Sequence, residues 1–101
     1  MNKSVINAGR RSGIEIIAEI LEEARRGVTK TRLVYRTNLN FVVIRKHLDF
    51  LLEKDLLEII NENGELYMTT AKGFQFLDEY AKMKEILGIK EIEERQIHSL
   101  M

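Results

Sequence analysis

Between Leu56 and Thr69 the chain changes its hydrophobic period, and that change limits the folds open to it. Leu57, Ile59 and Ile60 precede an Asn63-Gly64 pair, and Leu66, Tyr67 and Met68 follow it. Asn-Gly between apolar runs is the strongest short-range hairpin signal, because both residues accept the positive φ of a type I′ turn. The patterns before and after this segment are helical. The chain therefore reads as three helices, a two-stranded hairpin and a further helix.

Each helix carries its own start signal. Ser12 and Glu15 match a capping box at the head of the first. Ile14, Ile17, Leu21 and Ala24 form its core stripe with Ile20 at the border, while Glu19, Glu22 and Glu23 mark the outer face. Arg25 and Arg26 fall in its last turn, where cations suit the helix dipole, and Gly27 is placed as the left-handed terminal residue. A short second helix starts near Thr29 and runs to Thr37. Leu33 and Val34 face inward, and Thr31, Arg32, Tyr35 and Arg36 share the other side. Asn40 caps the third helix, with Leu39 and Ile44 in the positions of a hydrophobic staple. Phe41, Ile44, Leu48, Leu51 and Leu52 fall on one face, Val42 and Lys46 point the opposite way, and Val43 and Arg45 flank them. This helix ends near Lys54 or Asp55. Two helices joined tightly to a third are the helix-turn-helix layout.

Thr70 caps the fourth helix, and Gly73 in its first turn permits close packing. Phe74 and Leu77 are placed to dock on the body. Phe76, Tyr80, Met83 and Leu87 follow the 4-3-4 spacing of a coiled-coil seam. Ile86, Ile89, Ile97 and Leu100 make a displaced stripe beyond it. The expectation is one helix continuing past Gly88, because a single Gly costs a helix only about 1 kcal/mol. Residues 1–11 are polar and without period, and read as a flexible N-terminus.

At 101 residues the chain fits a single domain. It has no cysteine, no apolar run of membrane-spanning length and no secretory leader, so it is expected inside the cell and off the membrane. Its formal net charge is zero, but the charge is unevenly spread. Residues 1–50 hold ten Lys and Arg against five Asp and Glu, and residues 51–101 hold six against eleven. From Ala24 to Leu48 there are seven bases (Arg25, Arg26, Lys30, Arg32, Arg36, Arg45 and Lys46) and no acid. Such asymmetry marks either a localised anion-binding surface or a solvated face whose acids lie elsewhere. Enzyme readings lack parts. His47 and His98 have no ligand-spaced partners, which argues against a metal, and no GxxxxGK loop or GxSxG elbow is present. No cofactor and no small-molecule substrate is implied.

The order α-α-α-β-β-α, together with LDFLLEKDLLEI and LYMTTAKG, resembles the winged helix-turn-helix domain. The segments SGIEIIAEILEEA, TKTRLVY, NLN and YMTTAKG resemble most a group of small archaeal winged-helix proteins. Members of that group dimerise through a long C-terminal antiparallel coiled coil and bind DNA as chromatin-associated or regulatory factors. The resemblance implies a mainly α (α+β) fold with a winged-helix DNA-binding domain at 12–73 and a dimerisation helix at 74–101. It implies a cytoplasmic, nucleoid-associated protein whose partners are double-stranded DNA and a second copy of itself. Lys30, Thr31, Arg32, Tyr35 and Arg36 would hold phosphates. Asn40, Val42, Val43, Arg45 and Lys46 would face the major groove, the valines meeting thymine methyls. Phe76, Tyr80, Met83 and Leu87 would form the dimer seam. Two departures stand out. Asp55 replaces the usual glycine after the recognition helix, and Asp tolerates left-handed φ. The wing carries Glu58, Glu62 and Glu65 and no base, so its side chains would repel phosphates. A winged-helix protein-interaction module that does not bind DNA is the alternative.

Overall fold

A computed structural model of the chain describes residues 11–61 and 65–88. The elements follow the expected order: α1 (Gly13–Glu23), α2 (Lys30–Thr37), α3 (Phe41–Glu53), β1 (Leu57–Asn61), β2 (Glu65–Thr69) and α4 (Ala71–Leu87). This is the winged-helix arrangement. Every expected N-cap is in place, whereas α1 ends at Ala24 rather than at the expected Gly27. The Ser12 hydroxyl accepts from Glu15 N at 3.2 Å while Ser12 N donates to Glu15 Oε1 at 2.8 Å. Thr29, Asn40 and Thr70 accept from the amides of Arg32, Val43 and Gly73 at 2.9–3.1 Å. Such caps satisfy amides that have no partner inside the helix.

One core joins the elements. Ile20, Leu21 and Ala24 of α1 and its end meet Leu33 of α2 and Ile44, Leu48 and Leu51 of α3, all buried. Val28, Leu57, Tyr67 and Leu77 close it from the wing and α4, with Leu39, Phe74, Phe76 and Tyr80 packed at its margin. The stripe expected on α1 is corrected: Ile16 and Ala18 are buried, while Ile14 is 42% exposed. Because α2, α4 and β2 all pack against α1, its covered arc is wider than a two-position stripe. Phe41, expected in the α3 stripe, is also mostly outside, at 51% exposure.

The end of α1 differs from expectation for a reason that lies far along the chain. Arg25 and Arg26 are not in its last turn, since the helix stops at Glu23. Thr69 bonds there instead. Its hydroxyl donates to Leu21 O at 2.6 Å and its amide to Ala24 O at 3.0 Å. The chain then passes through Gly27 at φ +98 into Val28, which exchanges two backbone hydrogen bonds with Tyr67 at 2.8 and 2.9 Å. Val28 thus adds a one-residue bridge to the hairpin.

The hairpin register pairs Leu57 with Thr69 and Asn61 with Glu65. Three residues therefore connect the strands. The type I′ turn expected at Asn63-Gly64 falls outside the described residues. Residues 62–64 themselves lie outside the described residues, as do the polar stretch 1–10 and His98.

The α3–wing junction explains the Lys72-Gly73 pair. Asp55 takes the left-handed conformation at φ +62, as expected. Lys72 Nζ donates to Lys54 O at 2.9 Å, satisfying a carbonyl at the end of α3. A Cβ on Gly73 would collide with Leu56 O and lie 2.6 Å from Thr69 Cγ2, so only glycine lets α4 approach this closely. At the other end, Gly88 adopts φ +79 and terminates α4. Continuation of one helix through Gly88 is therefore corrected: the residue's left-handed freedom outweighs the small helical penalty. The stripe through Ile89, Ile97 and Leu100 lies outside the described residues.

Candidate nucleic-acid interface

The α2–α3 unit begins with a sharp reversal. Asn38 ends α2 in the left-handed conformation at φ +60, and its amide donates to Val34 O at 3.0 Å. Asn tolerates that conformation better than most residues. Thr37 is buried, and its hydroxyl donates to Leu33 O at 2.7 Å. Leu39 packs against the core that contains Ile44. The turn is thus held by packing as well as by the Asn40 cap.

The outer faces match the sequence reading. Thr31, Arg32, Tyr35 and Arg36 are exposed and Lys30 is half-buried. Tyr35 reaches 84% exposure. On α3, Asn40, Arg45 and Lys46 are exposed, Val42 is 63% exposed and Val43 is half-buried. The expected DNA residues therefore share one pair of consecutive helices.

Their charges are not equally available. Arg36 Nε lies 3.3 Å from Glu23 Oε1, so this cation is already partnered. Arg25 pairs with Glu22 at 3.3 Å and stacks over the Phe74 ring at 5.1 Å. Lys30, Arg32, Arg45 and Lys46 form no ion pair with the described residues. The lower outer face of α3 carries Asp49 and Glu53, and the wing carries Glu58 and Glu65, all exposed. Glu65 also accepts a hydrogen bond from the Tyr67 hydroxyl at 3.1 Å. Burial first, and then that bond and the charges of Glu65 and Asp49, push the Tyr67 phenol above its ordinary 10.0. The site is therefore positive over the first turns of α2 and α3 and negative toward the wing.

The predicted seam on α4 divides in two. Phe76 and Tyr80 stack at 6.0 Å and pack against their own core. Met83 and Leu87 are exposed, at 41% and 63%. Ile86, outside the seam as drawn, is more exposed than either. Sequence reasoning missed three residues that shape the site. Arg11 bonds to the α2 terminus, Val28 bridges to the wing, and Thr69 ends α1. Each acts across a long sequence separation and leaves no local pattern. Among the described residues no cluster of His, Asp or Glu could hold a metal, and no helix is long and apolar enough to cross a membrane.

The family profile described as winged helix-turn-helix matches residues 10–88. This chain belongs to the winged helix-turn-helix family. An uncharacterised protein of Methanocaldococcus jannaschii is 31% identical over 90 residues, covering 88% of this chain and 90% of that protein. Among solved structures, this winged helix is similar to Sso10a-2, a DNA-binding protein from Sulfolobus solfataricus. The two are 29% identical with a TM-score of 0.66, covering 90% of this chain and 97% of the other. It is also similar in fold to a MarR variant from E. coli complexed with operator DNA. That match has 16% identity and a TM-score of 0.62, covering 96% of this chain and 75% of the other.

Proposed function

We propose that this winged helix binds double-stranded DNA as a homodimer, acting as a transcriptional regulator or chromatin-architectural protein in the cytoplasm, on the nucleoid. The observation that carries the proposal is the set of Lys30, Arg32, Arg45 and Lys46, four cations without an ion pair among the described residues on adjacent helices. Similarity to the DNA-binding Sso10a-2 over most of both chains supports it. In this reading Lys30, Thr31, Arg32 and Tyr35 hold phosphates, and Arg36 joins them on leaving Glu23. The first two turns of α3 enter the major groove. Arg45 and Lys46 reach base edges or phosphates there, and Asn40 contributes from the cap. Val42 and Val43 meet thymine methyls. Such a surface has few bidentate readers, so sequence preference per protomer is modest. Residues 74–101 supply the dimer contact, with Met83 and Leu87 as its exposed apolar members alongside Phe76 and Tyr80. The acidic wing stays off the phosphates.

Titration of labelled mixed-sequence duplex at several salt concentrations tests the reading. Five cations per protomer, Arg36 included, counted over a dimer, set an upper limit of about −9 for the slope of log K against log salt. Replacing Arg45 and Lys46 with Ala removes up to four of those ten charges and should reduce the slope by up to about 3.6. Absence of binding at low salt, or binding indifferent to salt, refutes the proposal. In that case a protein partner lost on Val42→Asp would identify an interaction module instead.

A further inference from the structure

We infer that Arg11 is a positioning residue that locks the helix-turn-helix to α1 and so sets the presentation of α3; its consequence for DNA rests on the reading above. Arg11 precedes the Ser12 cap, in a stretch with no periodic pattern. Its guanidinium nonetheless forks between two elements. Nη1 pairs with Glu19 Oε1 on α1 at 2.6 Å, and Nη2 donates to Thr37 O at the end of α2 at 2.8 Å. These are two directed, charge-assisted hydrogen bonds, and a guanidinium can make both at once because its donors are fixed in a plane.

The acceptor matters more than the distance. Thr37 is the last residue of α2, and its carbonyl is one of the terminal acceptors a helix cannot satisfy internally. The chain then reverses through left-handed Asn38, and α3 begins three residues beyond, after the Asn40 cap. A cation on this carbonyl also meets the negative end of the helix dipole. Glu19 anchors that cation from a helix that belongs to the body of the domain. The path α1, Glu19, Arg11, Thr37 O, turn is thus the polar tether at the point where α3 takes its direction. The ion pair that joins α1 directly to α2, Glu23 with Arg36, is longer and linked to a side chain rather than to the turn. Both Arg11 and Glu19 have guanidinium and carboxylate already engaged with each other, so neither is counted among the phosphate ligands.

The prediction separates positioning from direct contact. Arg11→Ala should weaken binding to mixed-sequence duplex by about tenfold while leaving the salt slope unchanged, because no phosphate contact is removed. Glu19→Gln should act in the same direction, and the double variant should be no weaker than Arg11→Ala alone, since the two residues act through one tether. Arg11→Lys keeps the charge but lacks the planar fork that meets the two acceptors from separate nitrogens, and should restore less than half of the loss in log affinity. Without DNA, amide hydrogen exchange of full-length Arg11→Ala should quicken at Asn38 and Leu39 while α4 stays protected. A slope reduced by about one would make Arg11 a phosphate ligand and overturn the inference. Wild-type affinity, or unchanged exchange at the turn, would also overturn it. Absence of DNA binding by the unaltered chain would sink the DNA reading, and the exchange measurement would still judge the tether.

Discussion

Gly73→Ala is the substitution whose outcome the packing defines most tightly. The added methyl would collide with Leu56 O and lie 2.6 Å from Thr69 Cγ2. Neither neighbour is free to withdraw. Leu56 O accepts from Thr70 N at 3.1 Å, and Leu56 N donates to Leu51 O at 2.9 Å. Thr69 is held by its hydroxyl on Leu21 O and its amide on Ala24 O. The strain is therefore placed on α4, which must shift away from the wing. Overpacking of this kind costs about 1–3 kcal/mol, and contact with backbone places it toward the upper part of that range. Alanine recovers at most about 1 kcal/mol through helix propensity, and less in a first turn. The net loss is about 2 kcal/mol. For a domain near 100 residues that corresponds to a melting point lower by roughly 8–16 °C. Urea unfolding followed by circular dichroism at fixed protein concentration measures it, with a lower midpoint and an unchanged slope expected. Gly13→Ala is the control. Gly13 lies in the first turn of α1 with nothing within 4 Å of an added Cβ, so that variant should be neutral or stabilised by up to about 1 kcal/mol. A Gly73→Ala variant as stable as Gly13→Ala would refute the argument that close backbone approach fixes this glycine.

Thr69→Val deletes the buried hydroxyl on Leu21 O and leaves that carbonyl without this partner. A loss of about 1–3 kcal/mol is expected by denaturant unfolding. The raised Tyr67 phenol gives an alkaline signature. The fold holds this proton more tightly than the unfolded chain does. Its contribution is complete below about pH 10 and is lost as pH rises through the folded value. Glu65→Gln should soften that loss in unfolding measured against pH, and an identical profile would speak against the Glu65 contribution. Ile86→Asp places a charge at an 83% exposed apolar position on α4. If this face forms the dimer, sedimentation should show a shift toward monomer with the circular dichroism spectrum retained.

Much of the site was legible because its parts are local. Cap residues declare themselves within three positions, which is why Ser12, Thr29, Asn40 and Thr70 were all placed from sequence. The outward set on α2 and α3 followed from helical period alone once those starts were known. What the period could not tell was which cations are already engaged. Arg36 and Arg45 look alike in a pattern, yet one meets Glu23 on another helix and the other meets no acid among the described residues. The α4 seam shows the same limit of a pattern. Phe76 and Tyr80 are partly buried against their own core, while Met83 and Leu87 are exposed. A 4-3-4 spacing defines a face, not the surface that will cover it.

The sequence by itself determined the element order, the helix starts and the charge divided between the halves. All of these depend on residues a few positions apart or on simple composition. Only the tertiary structure decided where α1 ends, because Thr69 supplies that termination from 48 residues away. The same holds for the three-residue connection of the hairpin, whose register is set by which strand face meets the core. It holds too for Arg11, which no pattern marks and which grips the turn before α3. Local chemistry names the elements. Contacts across long sequence separations decide their ends, their register and which charges remain available for a partner.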